Sequence, residues 1–205
     1  MGCDIHLHVE KYNERTRKWK DVTLKVLNDY YSPEDGDKIE EKYSTVWVNR
    51  ADGRNYALFA ILADVRNYAE DLSPIFHPRG IPNDASESIR KEHCAWESDA
   101  HSASYLTLKE LIDAAPDYDE INEVGTISPE QSSELDKGNL PSSWCGGTNQ
   151  EDWVQRSWVR PFTSLRDLIT NIKLTLEASY SYSTYAAKDK PNYDKDYRIV
   201  FWFDN

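Results

Sequence analysis

Residues 3–10, Cys-Asp-Ile-His-Leu-His-Val-Glu, alternate apolar and polar side chains without a break. An extended strand sends successive side chains to opposite faces, so this stretch predicts a strand that is apolar on one side and polar on the other. Cys3, Ile5, Leu7 and Val9 make the apolar side. Asp4, His6, His8 and Glu10 make a stripe of imidazoles and carboxylates, the groups that bind metals or move protons near neutral pH. Two histidines at i, i+2 stand about 7 Å apart along one face. With rotamer adjustment both reach one ion, and Asp4 completes a mixed nitrogen–oxygen site for Zn, Mn or Fe. Cys3 points the other way and reads as a small buried hydrophobe. Glu10 lies nearest the following turn and stays outside the ligand set.

The closing run Tyr197-Arg-Ile-Val-Phe-Trp-Phe203 is β-branched and aromatic, apolar on both faces apart from Arg198. That pattern predicts a central strand covered on both sides, paired here with the first strand. Residues 3–27 read as a hairpin around the polar turn 13–18, and Thr45–Val48 as a further short strand. Helical spacing of Leu58, Ile61, Leu62, Val65 and Tyr68 predicts a helix from Tyr56 to about Glu70. A second long helix opens at Ser164, with Leu165, Leu168, Ile169, Ile172 and Leu176 on one face. Shorter helices are expected over 84–95, over 129–135, and after the capping box Thr107-Leu-Lys-Glu110. The expected architecture is α+β, an antiparallel sheet of about four strands with terminal strands paired and two long helices on one face. The 205 residues read as one domain, 1–205, with a polar, loop-rich insertion around 116–150.

Charge narrows the function. A net charge of -12 carries no basic footprint for general nucleic-acid binding. Three scattered cysteines without a CxxC predict a reduced, cytoplasmic protein. No apolar run approaches the ~20 residues of a membrane span, and no leader-like segment is visible. Oligomeric state is not legible.

Two further blocks carry chemistry. Asp99-Ala-His101-Ser102-Ala-Ser104 repeats the carboxylate–imidazole pattern. Beside the first strand, His101 would serve as a third metal ligand or a general acid/base oriented by Asp99, with Ser102 and Ser104 as substrate contacts. Arg54 and Arg66 flank the first helix, and Arg79 sits among prolines. Arginine forks suit phosphate or carboxylate, so the three predict a nucleotide-sized anion pocket. Salt bridges to the many carboxylates are the simpler alternative.

Asp4-Ile-His-Leu-His8 resembles the D-x-H-x-H opening of the PHP phosphoesterases, which implies metal-dependent hydrolysis. A broader resemblance is to uncharacterised phage and prophage proteins. It rests on MGCDIH, on Arg54-Asn-Tyr-Ala-Leu-Phe-Ala-Ile-Leu-Ala-Asp-Val-Arg66, on Pro78-Arg-Gly-Ile-Pro82, on Asp99–Ser104 and on Arg198–Asn205. It implies a phage origin and that these blocks act as one unit. Two expectations follow. One is a metal-dependent phosphoesterase acting on a nucleotide-like substrate, with Asp4, His6, His8 and His101 on the metal and a bound water as nucleophile. The other is a non-catalytic anti-defence protein that sequesters a nucleotide signal or blocks a host protein. An acidic surface that contacts a basic host protein is a third.

Overall fold

The computed structural model describes residues 2–23, 25–27, 31–36, 42–45, 54–69, 72–181, 192–193 and 195–204. Strands β1 (Asp4–Asn13) and β2 (Lys18–Asp21) form the expected hairpin across residues 14–17. The final strand, β8 (Tyr197–Asp204), pairs antiparallel with β1, Asp4 opposite Asp204 and Lys11 opposite Tyr197. Strand β5 (His101–Thr107) pairs with the other edge of β8, which gives one antiparallel four-stranded sheet of order β2-β1-β8-β5. The α+β architecture with terminal strands paired is therefore present.

Register sorts the side chains of the sheet. Leu7 and Val9 of β1 and Ile199, Phe201 and Phe203 of β8 share one face and are buried there. They pack on α1 (Tyr56–Ala63), α3 (Leu108–Ala114) and α5 (Ser164–Ser181) in one contiguous core. Burying a side chain of that size contributes about 1.5–3 kcal/mol, so this layer is the main source of stability. The Thr107/Glu110 capping box forms in full and starts α3 where the sequence places it.

The opposite face is covered too. Val200 and Trp202 lie under Ile89 of α2 (Glu87–Ala95), with Trp96 and Ile81 beside them. The polar stripe of β1 faces this cover, so His6, His8 and Glu10 are buried rather than solvated.

Two elements differ from expectation. Helix α1 has eight residues instead of fifteen or so. Asp64 takes φ 59° and closes the helix, and the chain folds back so that the Ile75 N–H donates to the Ile61 carbonyl. Tyr68, expected on the apolar face, is 69% exposed. Within the expected insertion 116–150, β6 (Glu120–Ile127) is an added strand, paired along its length with β7 (Val154–Pro161), while α4 (Pro129–Asp136) matches the short helix expected there. Nearer the start of the chain, β3 (Lys25–Leu27) pairs with β4 (Tyr43–Thr45). Residues 46–48 of the expected strand lie outside the described residues, as does most of the tyrosine-rich stretch 181–195. Among the described residues no helix is long and apolar enough to cross a membrane.

Glu10 and Arg198 face each other across β1 and β8, 0% and 5% exposed, with Arg198 Nε donating to Glu10 Oε2 at 2.7 Å. The Ser86 backbone N–H donates to Glu10 Oε1, and Arg198 Nη1 donates to Asp84. Removing Glu10's charge leaves the buried Arg198 with only the largely exposed Asp84 as counter-charge. Glu10→Gln is expected to destabilise by about 3 kcal/mol, and the double variant Glu10→Leu/Arg198→Met by less than Glu10→Leu or Arg198→Met alone. Urea unfolding of the four variants measures this.

Candidate functional site

The residues predicted to form one site divide between the two faces of the sheet. His6 Nε2 meets Asp204 Oδ2 at 3.0 Å, and its ring lies against Trp96 and Trp202. His8 is 2% exposed and ion-pairs with Asp21 at 3.6 Å and Glu92 at 3.3 Å while stacking on Trp202. His93 meets the same indole edge to face. This is a packed layer of neutralised charges.

His101 is on the other side. It pairs with Phe203, as Ile5 does, and paired residues in antiparallel strands share a face. Its ring stacks on Phe203, its Nε2 is 4.0 Å from Cys3 Sγ and its Nδ1 is 3.1 Å from Ser102 Oγ. The expected centre of Asp4, His6, His8 and His101 is thus divided by the sheet. A bulge between His101 and Ser104, with Ser102 at φ 50°, sets this placement. Asp99 lies exposed in a helical turn before β5. Ser104 is fully buried and accepts from the Arg79 backbone N–H. Among the described residues no group of three or more His, Cys, Asp or Glu side chains is placed to hold a metal ion.

The arginines divide as well. Arg79 pairs in a fork with Glu110, at 2.9 and 3.2 Å, and stacks on Phe76. It therefore serves the capping box of α3 rather than a pocket. Arg54 and Arg66 do meet. They line a cleft of about 330 Å³ together with Arg160 of β7, within the size range of small-molecule sites. Asn55, Asn67 and Glu123 supply polar groups, and Tyr56, Tyr68 and Trp144 supply aromatic ones.

Each wall has a local cause. Asn55 caps α1, its Oδ1 accepting from the Leu58 N–H, and its amide donates to Ser164 Oγ at 2.7 Å, which ties α1 to α5. Arg54 therefore sits at the start of α1 and Arg66 just past its end. Arg66 has φ 51°, two residues after Asp64, and this left-handed pair turns the chain back beside the helix. Asn67 fixes the turn by donating to Asp64 Oδ1 and to the Leu72 carbonyl. The far wall is the β6–β7 hairpin. Arg160 Nε lies 2.8 Å from Glu123 Oε1, and Trp158 Nε1 donates to Glu123 Oε2.

Two glycines mark the cleft. A Cβ on Gly125 would lie 2.6 Å from Trp144 Cδ1, and one on Gly2 would lie 1.8 Å from Arg54 Nη1. Each glycine lets a cleft side chain lie directly on backbone. Trp144 is held there because Cys145 bridges to Thr126, with N–H···O distances of 2.8 and 3.2 Å. Arg160, Trp144 and Glu123 escape the sequence reading, although an isolated glycine inside a strand is the signal that backbone is closely approached.

Three guanidinium groups line one cleft of a chain with net charge -12, two of them ion-paired, Arg54 with Asp4 and Arg160 with Glu123. Asp4 accepts both Nε and Nη2 of Arg54 at 2.8 Å, and the guanidinium holds its carboxyl below the usual range. Burial pushes the Cys3 thiol up, and a hydrogen bond from Arg66 opposes that rise. Comparison with protein-family models, curated proteins and solved structures finds no match to this chain.

Two outcomes are expected. Gly125→Ala should displace Trp144, read as a shift of the one indole N–H resonance that Trp144→Phe removes, with the other indole signals kept. For His8, burial lowers the pKa, but Asp21 and Glu92 overcome this and push it up to about 9. A raised pKa in the folded state stabilises fully below about pH 6.5 and is lost as pH rises through about 9. The stability advantage of wild type over His8→Gln, measured by urea unfolding, should shrink between pH 6.5 and 10.

Proposed function

We propose that this protein binds a nucleotide-like anion in the Arg54/Arg66/Arg160 cleft without cleaving it, and acts by sequestration. The observation that carries this reading is the convergence of three arginines and an indole, seated on Gly125, in one cleft of a strongly acidic chain. Arginine forks match phosphate oxygens. An aromatic face stacks on a base whatever its identity, which is worth about 1–3 kcal/mol per base. Asn55, Asn67 and Glu123 offer donors and an acceptor for a sugar or a base edge. The resemblance to phage and prophage proteins supports an accessory role in the cytoplasm of an infected cell, where withdrawal of a signalling nucleotide would blunt a host response.

Hydrolysis is the weaker reading on the same chemistry. It asks for His6, His8 and His101 around one ion, and the register of β1, β8 and β5 puts His101 on the opposite face from the other two. The described residues that line the cleft carry guanidinium, amide, carboxylate and aromatic groups, and none of them is a cysteine or a histidine.

Calorimetric titration with mononucleotides and cyclic dinucleotides, followed by chromatography of the released ligand, tests this. The expected result is binding that weakens with salt, recovery of intact ligand, and at least a ~10-fold loss in Arg66→Ala and in Trp144→Ala. Release of a hydrolysed product, or equal binding by phosphate-free nucleosides, would overturn it.

A further inference from the structure

The opening residues matter to the cleft through a different trio than the polar stripe. Gly2, Cys3 and Asp4 are consecutive, and each touches one of the two helix-flanking arginines. The Arg54 guanidinium lies flat against Gly2, since a Cβ there would fall 1.8 Å from Nη1, 2.2 Å from Cζ and 2.7 Å from Nη2. Asp4 takes the Nε and Nη2 edge of the same guanidinium in a two-bond fork at 2.8 Å. Cys3 is fully buried, near enough to Arg66 for the guanidinium to oppose the rise in its pKa, and its sulfur lies 4.0 Å from His101 Nε2. Asp4 is itself fixed, because its backbone N–H donates to Asp204 Oδ1 at 3.0 Å while Asp204 Oδ2 meets His6.

We infer that Gly2-Cys3-Asp4 is the element that positions the two guanidinium groups for the ligand, resting on the anion-binding reading of the cleft. The physical reason is entropy. Arginine side chains lose up to about 2 kcal/mol of rotamer freedom when ordered, and a site that orders them before binding avoids that loss at the moment of binding. Arg54 is half exposed and would otherwise sample many rotamers. The trio also explains the residue types. Glycine leaves the space that the fork occupies, where an added Cβ would force the Arg54 guanidinium to shift. Aspartate is required because a short carboxylate on the strand reaches the Nε edge. Cysteine supplies a small buried acceptor that leaves the core intact.

The Arg Nε–H resonances of the free protein test this directly, alongside titration with inorganic pyrophosphate. Wild type should show slowly exchanging Nε–H signals for Arg54 and Arg66. Asp4→Asn and Gly2→Ala should lose the Arg54 signal, Cys3→Ala the Arg66 signal, and Cys3→Ser should retain it, all with native backbone amide spectra. Pyrophosphate affinity should fall by about 10-fold in Asp4→Asn and recover in part in Asp4→Glu. Unchanged Nε–H signals in Asp4→Asn and Cys3→Ala would overturn the positioning role. So would tighter pyrophosphate binding in Asp4→Asn, which would make Asp4 a competitor for Arg54. If the signals behave as expected but pyrophosphate and nucleotides fail to bind wild type, the positioning role stands and the anion-binding reading falls.

Discussion

The register between β1 and β8 is the constraint on which everything else rests. With Asp4 opposite Asp204 and Leu7 opposite Phe201, Leu7 and Val9 of β1 and Tyr197, Ile199, Phe201 and Phe203 of β8 enter the helix-covered core, with Ile5 packed against it. The even residues are committed to the other side. A slip of one residue in β1 would turn Asp4, His6 and Glu10 toward Leu58, Phe59 and Ile172 and carry Leu7 and Val9 into the ionisable layer. The alternation in β1 leaves no second register of comparable energy.

That commitment explains the buried polar layer. A two-strand centre covered on both faces must bury the even side chains as well, and those of β1 are ionisable. Each is therefore given a counter-charge: Asp204 for His6, Asp21 and Glu92 for His8, Arg198 for Glu10. Trp96 and Trp202 fill the space between the imidazoles. The metal-like composition of this strand is thus taken up by charge pairing inside the sheet.

What could be read from sequence follows the range of the forces involved. The alternation of residues 3–10, the central character of 197–203 and the capping box at Thr107 are set by neighbours a few residues away, and all three are legible. The length of α1 is not, because its end depends on a left-handed Asp64 and on residue 75 folding back onto residue 61. Strand β6 is hidden by its polar composition. It is held by β7, whose paired residues lie 27 to 41 positions on, rather than by a dense apolar stripe. The cleft was half legible for the same reason. Arg54 and Arg66 flank one helix and suggest themselves as a pair, whereas Arg160 and Trp144 arrive through the β6–β7 pairing and the Thr126–Cys145 bridge.

The strand order β2-β1-β8-β5 has a consequence for how the chain reaches its fold. Strand β8 lies between β1 and β5, and Glu10 and Arg198 are 188 positions apart. Until β8 docks, the two halves of the sheet have no common edge, and the apolar face of β1 waits without its partner. Contacts this distant along the chain are costly in loop entropy and slow to form. Assembly should therefore be a late, cooperative event in which the core, the buried ion pairs and the Asp204 anchor of Asp4 appear together. The arginine cleft, hung from that same strand end, would be among the last features to become ordered during synthesis.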